Sequence, residues 1–242
     1  LATLGNNEGM DKRTISLIKK ILILVTILAV PGFLYYLLQA KGKNRYKPLA
    51  IYGPKVVAET FTEKRGVKIP DTLFHHVKGL TAINQQGDSI NIDSIKNQLL
   101  VINLFYTGNN KLMDLMYPNL ERLYNRYKDN KKLRFLSITI DPKTDTNEVL
   151  ARFAANYNAP AGKWDFLQAD TAKVFPFANK QLFLDAFESE GVLVHSEKVV
   201  LIDEERRIRG YYAATSSQEM KKLGEEIKVL IAEELRKIKL VD

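Results

Sequence analysis

The 242-residue chain contains no cysteine. Thiolate catalysis, disulfides, iron–sulfur clusters and cysteine-bearing zinc sites are therefore excluded. The absence does not fix a compartment. It removes oxidative mispairing, which suits an extracytoplasmic domain. Histidine is scarce as well, with three in the whole chain. No Ser-His-Asp spacing, phosphate-binding glycine loop or zinc-protease motif is found. No internal repeat or low-complexity tract stands out either, which sets solenoid architectures aside.

What is present is basic charge. The formal net charge is +8, with a pI near 9.4. Part of it flanks one apolar run, with Lys12, Arg13, Lys19 and Lys20 before and Lys41, Lys43, Arg45 and Lys47 after. The rest is dispersed among acids. No motif supports nucleic-acid binding, so nucleic acid is not an expected partner.

Residues 21–40 (ILILVTILAVPGFLYYLLQA) carry no charge. This is about the length that crosses a hydrocarbon core of roughly 30 Å. Pro31 and Gly32 are tolerated in such helices, and Tyr35 and Tyr36 suit an interface. The run is long for a signal peptide and ends in a poor cleavage site, so an uncleaved anchor in the lipid bilayer is expected. Positive charge on both sides leaves its orientation undecided. Met10 reads as a natural start, with the residues before it either an upstream extension or a start-site artefact.

The division expected is an N-terminal cytoplasmic segment 1–20, the transmembrane helix 21–40, a linker 41–70 and a folded domain 71–242. The linker holds a short strand at 56–61. Residues 80–83 and 89–92 flank a Gly87 turn and read as a hairpin. The apolar runs 99–106 (LLVINLFY) and 133–140 (LRFLSITI) read as buried strands. Leu112, Leu115, Met116, Leu120, Leu123 and Tyr124 mark a helix that Pro118 should bend or delay. Asp145 and Glu148 form a capping-box-like pair before a helix bearing Val149, Leu150, Phe153, Ala154 and Tyr157. Residues 199–202 and 208–212 read as a hairpin around a charged turn. Ser216 and Glu219 cap a last helix striped by Met220, Leu223, Ile227, Leu230 and Ile238. An insertion at 175–194 carries Phe183, Leu184 and Phe187, read either as core closure or as a contact patch. The fold class is α/β, a thioredoxin-like fold with an N-terminal hairpin extension, preceded by a single transmembrane helix.

From about residue 51 to 235 the chain resembles the SCO/SenC family. The resemblance rests on VINLFYT (101–107), ITIDPKTDT (138–146), Trp164 with Phe166 and Leu167, His195-Ser196 followed by VVLID, and RIRGYY (207–212). Their order over most of the chain is specific; no single piece is. The resemblance implies a thioredoxin-fold domain held outside the cytoplasm by one N-terminal helix. It also implies delivery of copper to, and reduction of, the copper centre of cytochrome c oxidase. The departure is at the centre of that chemistry. Asn109 and Met113 stand at the family's two cysteine positions, while His195 stands at its histidine-ligand position.

Cu(I) prefers sulfur and imidazole donors, and two thiolates would neutralise it. Asn109 is a poor substitute and Met113 is a neutral thioether. A Met113/His195 pair would therefore be a vestigial copper site, holding copper weakly at best; no cofactor is expected. His75 and His76 point to opposite faces of an extended segment and do not share a metal. Asp141 and Asp145 read as structural carboxylates, not an acid–base pair. The resulting expectation is a non-enzymatic accessory or assembly subunit of a membrane complex, a respiratory one by family analogy. The alternative is a copper chaperone for cytochrome c oxidase maturation using methionine and histidine.

Overall fold

The computed structural model describes residues 12–41, 48–64, 66–108 and 111–239. Met10 and Asn109 lie outside the described residues. The chain divides into two units, Leu1–Lys47 and Pro48–Asp242, each described by itself.

In the first unit, α1 (Lys12–Lys41) is helical throughout, with Pro31 inside it. Its segment Arg13–Leu37 has 25 residues and a mean hydropathy of 2.2. At about 1.5 Å per residue this is long and apolar enough to cross a membrane. The helix runs beyond the expected span 21–40 because Lys19 and Lys20 are good helix formers and give no stop signal.

The second unit runs β1 (Lys55–Lys64), β2 (Val67–Phe74), β3 (Thr81–Ile83), β4 (Ser89–Asn91), a 3₁₀ turn, β5 (Leu99–Phe105), α2 (Lys111–Tyr127), β6 (Leu133–Thr139), α3 (Asn147–Asn156), β7 (Trp164–Leu167), α4 (Thr171–Pro176), a π-helical turn Phe177–Leu182, β8 (Ala186–Ser189), β9 (Val192–His195), β10 (Lys198–Ile202), β11 (Ile208–Ala213) and α5 (Ser217–Lys239). The central sheet has the order β11-β10-β5-β6-β7. Strands β5, β6 and β7 are parallel, and β10 joins β5 antiparallel.

Strand β5 is buried at every position because both faces of the sheet are covered. Leu99, Val101 and Phe105 face a core built with α2, α3 and α5. Leu100, Ile102 and Leu104 face a second core that includes Val77, Leu80, Val174 and Leu184. Fully burying one such side chain stabilises by roughly 1.5–3 kcal/mol. The polar member, Asn103, accepts from the Ser137 hydroxyl at 2.7 Å, and the Trp164 indole N–H donates to that hydroxyl at 2.9 Å. The three groups satisfy one another in the interior.

Helix α2 continues through Pro118, and the Asn119 side-chain amide holds the Leu115 and Ala214 carbonyls at 3.3 and 2.8 Å. Ser216 Oγ accepts from the Glu219 N–H at 3.3 Å, as expected of a cap, and Met220, Leu223, Ile227 and Leu230 are buried. The Ile238 side chain lies outside the described ones. Gly210 is required by packing: a Cβ there would collide with the Tyr212 ring and hydroxyl.

Two expectations need correction. Residues 41–70 are not a plain linker. Strand β1 extends well past 56–61 and pairs antiparallel with β2, so a boundary after residue 70 falls within a strand. The ribbon was hard to see because Val56, Val57, Phe61, Val67, Ile69 and Leu73 stay exposed and leave no continuous apolar run. Asp145 does not cap α3; the cap is Thr146, whose hydroxyl donates to Glu148 at 2.7 Å, while Asp145 turns into the core. The insertion, read either as core closure or as a contact patch, divides its apolar side chains: Leu184, Phe177 and Leu182 close the second core, whereas Phe183 and Phe187 remain exposed.

Candidate functional site

The site lies where β5 leaves the sheet. Its exit is held by Asp145, which is fully buried. The Thr107 backbone N–H donates to both Asp145 oxygens, at 3.1 and 3.2 Å, and the Thr107 and Thr139 hydroxyls also donate to the carboxylate. Burial raises the Asp145 pKa above the usual aspartate value, and the Thr107 and Thr139 hydrogen bonds oppose the shift. Asp141 closes its own turn by accepting from the Thr144 N–H at 3.3 Å. The two carboxylates thus have separate structural jobs.

From this exit, Tyr106, Thr107 and Gly108 lead towards α2. Met113 lies on the first turn of α2, only 8% exposed, in the same core as Met116, Phe105 and Tyr117. Beside it is an open cleft of about 390 Å³ lined by Tyr106, Thr107, Gly108, Met113, Asp114, Tyr117, Pro118, Phe153 and Tyr157. His195, 7% exposed, ends β9, and its Nδ1 is 3.0 Å from the Ser196 carbonyl. Burial lowers its pKa, which keeps the imidazole neutral at neutral pH; the Ser196 carbonyl acts the other way. Tyr106 meets the His195 ring edge-on at 5.8 Å and also lines the cleft beside Met113. The two candidate ligands therefore share a neighbour, and His195 is not among the described residues that line the cleft.

The donors present do not suit a tight Cu(I) site. Met113 offers a neutral thioether packed into the core, and His195 one imidazole. Neither supplies the negative charge that a thiolate pair would. Asn109 lies outside the described residues. Among the described residues no three His, Cys, Asp or Glu side chains converge as a metal-holding group. The adjacent histidines take separate partners: His75 Nε2 is 2.9 Å from the Gln181 carbonyl and His76 Nδ1 is 2.5 Å from that of Glu205.

Sequence reasoning missed two groups here. The first is the brace from Asp145 to Thr107, 38 residues away in the chain, which local capping rules cannot detect. The second is the aromatic wall of the cleft: Phe153 lies 5.1 Å from Tyr117 and 5.3 Å from Tyr157, and Tyr117 lies 5.1 Å from Tyr157. The helical spacing of Phe153 and Tyr157 on α3 placed both toward the core but not their meeting with α2.

The mixed sheet with helices on both faces, extended by the β3–β4 hairpin, defines a thioredoxin-like fold. Solved structures agree. A SCO1/SenC family lipoprotein from Bacillus anthracis matches with a TM-score of 0.60 at 20% identity, covering 66% of this chain and 96% of that one. BsSco, described as carrying a disulfide switch and as a member of the Sco family of cytochrome c oxidase assembly proteins, matches at 0.57 and 24% identity, covering 65% and 94%. In sequence, a SCO1 protein homolog of Bacillus subtilis is 26% identical over 147 residues, covering 59% of this chain and 76% of that protein. The SCO1/SenC family model matches residues 74–232. The chain belongs to the SCO1/SenC family, as a member without cysteine.

Proposed function

We propose that this chain is a membrane-anchored, non-catalytic SCO/SenC protein serving as an accessory or assembly subunit of a membrane complex. One observation carries the reading: no thiol exists anywhere in the chain, while the family's framework is kept. Disulfide exchange needs a thiolate, so that reaction is closed to it. A domain without its reaction still offers a shaped surface. The anchor α1 confines that surface near the bilayer and raises its effective concentration toward other membrane proteins. A respiratory complex is the leading candidate, because the relative BsSco is described as a cytochrome c oxidase assembly protein; this is an analogy of family. On the same analogy the domain faces an extracytoplasmic space. Protease added to sealed right-side-out membranes should digest it, and protection beside a digested control would reverse that orientation.

The complex itself is tested on native gels of gently solubilised membranes. Migration well above the chain's own 27.6 kDa is expected. Migration only as a free monomer in several mild detergents would overturn the reading. The copper-chaperone alternative draws support from His195, whose neutral imidazole lies one residue, Tyr106, away from the Met113 cleft. Stoichiometric copper in protein purified under reducing conditions, lost on His195→Ala or Met113→Ala, would make it the better account.

A further inference from the structure

The cleft beside Met113 has a composition that a metal site does not need. Four of its lining side chains are aromatic, namely Tyr106, Tyr117, Phe153 and Tyr157, and one is a carboxylate, Asp114. No lysine or arginine lines it among the described residues, although the chain carries 36. Tyr106, Phe153 and Tyr157 are half-buried and so present ring surface to the opening. A second carboxylate, Glu121, lies two turns along α2 from Asp114, and both charges reach Tyr157, where they act with burial to raise its pKa. Aromatic faces carry negative potential and attract cations, most strongly flat guanidinium groups that can also stack. We propose that this cleft receives an arginine side chain from an extended segment of a partner protein, stacked on the Tyr157–Phe153 wall and paired with Asp114.

A simpler account of Asp114 is that it offsets the dipole of α2, whose first turn it occupies. That accounts for Asp114 alone. The dipole fades within a turn, so it explains neither Glu121 nor an aromatic wall free of basic groups. The cleft's volume also falls within the range of small binding pockets, about 300–1,000 Å³. The inference rests on the accessory-subunit reading, since it names the chemistry by which a partner would be held.

The test uses the full chain in nonionic detergent. Its sole tryptophan, Trp164, lies 5.6 Å from Tyr157 and 6.1 Å from Tyr117, so its fluorescence reports on the wall of the cleft. The probes are tetra-arginine amide, its neutral citrulline counterpart and tetramethylammonium chloride, all at one ionic strength. A saturable response to the arginine peptide and none to the citrulline peptide is expected. Asp114→Asn, at an exposed position, should weaken binding about threefold. Tyr157→Leu should weaken it by a similar factor. Equal responses to both peptides, or unchanged affinity in Asp114→Asn, would overturn the proposal. So would saturation by tetramethylammonium with no effect of the peptide. A chain that runs in a complex on native gels yet ignores the arginine peptide loses this inference alone; a free monomer loses the accessory reading itself.

Discussion

Strands β5 (LLVINLF) and β1 (KVVAETFTEK) both carry apolar side chains and give them opposite fates. Strand β5 is covered on both faces, by two separate cores. Strand β1 pairs with β2 alone, and Val57 on it is 71% exposed. A two-stranded ribbon has no third strand or helix to bury its side chains, and in water such pairs are marginal. On the function proposed above, stability and recognition are separated along this chain. The sheet holds the fold, and the ribbon and the cleft at the β5 exit are free to serve contacts. The sharpest way to break this comparison is to cut the core. Phe166→Ala removes a fully buried ring packed against Phe105 and Trp164. It should cost about 3–5 kcal/mol in urea unfolding of the full chain. A loss below about 1 kcal/mol would show that the sheet does not carry the fold.

That division explains what could be read from the sequence. Buried strands covered on both faces write themselves as unbroken apolar runs, so LLVINLFY and LRFLSITI were legible, as were the stripes of α2 and α5. Helix α1 was legible for a different reason, as one uncharged apolar run long enough to cross a membrane. The β1–β2 ribbon was not, because exposed strands carry no burial signal, and a short strand at 56–61 was all that showed. At the site, Met113 and His195 were visible by resemblance, but their setting was not. Asp145 was misassigned because Asp-x-x-Glu spacing before a helix also occurs where the aspartate faces inward, and only the tertiary contact with Thr107 distinguishes the two. The charged turn at 203–207 was read only as the link of a hairpin. In the fold Asp203 is buried, bonded by Arg207 at 2.8 Å and Arg209 at 3.1 Å, and Arg209 in turn holds the Leu49 carbonyl and Glu233.

Next in size is the brace at the β5 exit. Asp145→Ala leaves the Thr107 N–H and two hydroxyls without their acceptor and should cost about 2–3 kcal/mol. Asp145→Asn keeps an acceptor and separates the charge from the shape. Burial raises the folded-state pKa of Asp145 above its unfolded value of 3.8. Folding therefore favours its protonated form. The stability linked to this group is fully present below pH 3.8 and is lost as pH rises through the raised folded pKa. Wild type should consequently gain on Asp145→Asn as pH falls from neutral toward about 4. Unfolding free energies of the two proteins, measured by urea at several pH values, check the sign. A difference that shrinks on acidification would mean that the Thr107 and Thr139 hydrogen bonds outweigh the burial.

The smallest effect is expected on the ribbon, and it is the most telling for function. Val57→Ala and Leu73→Ala remove side chains that are 71% and 60% exposed. Neither closes a core, so each should change the stability of the isolated chain by no more than about 0.5 kcal/mol. The two residues lie on opposite faces of the ribbon, because Val56 pairs with Leu73 while Val57 pairs with Thr72. Side chains of paired residues share a face and neighbours along a strand alternate. The two substitutions therefore probe the two faces separately. If the ribbon serves contacts, one of them should lower the fraction of chain recovered in the complex on native gels while both leave urea unfolding unchanged. A loss of stability above about 1 kcal/mol from either would instead place that face against the chain's own body. The contrast between a covered sheet and a free ribbon would then fail at its weaker end.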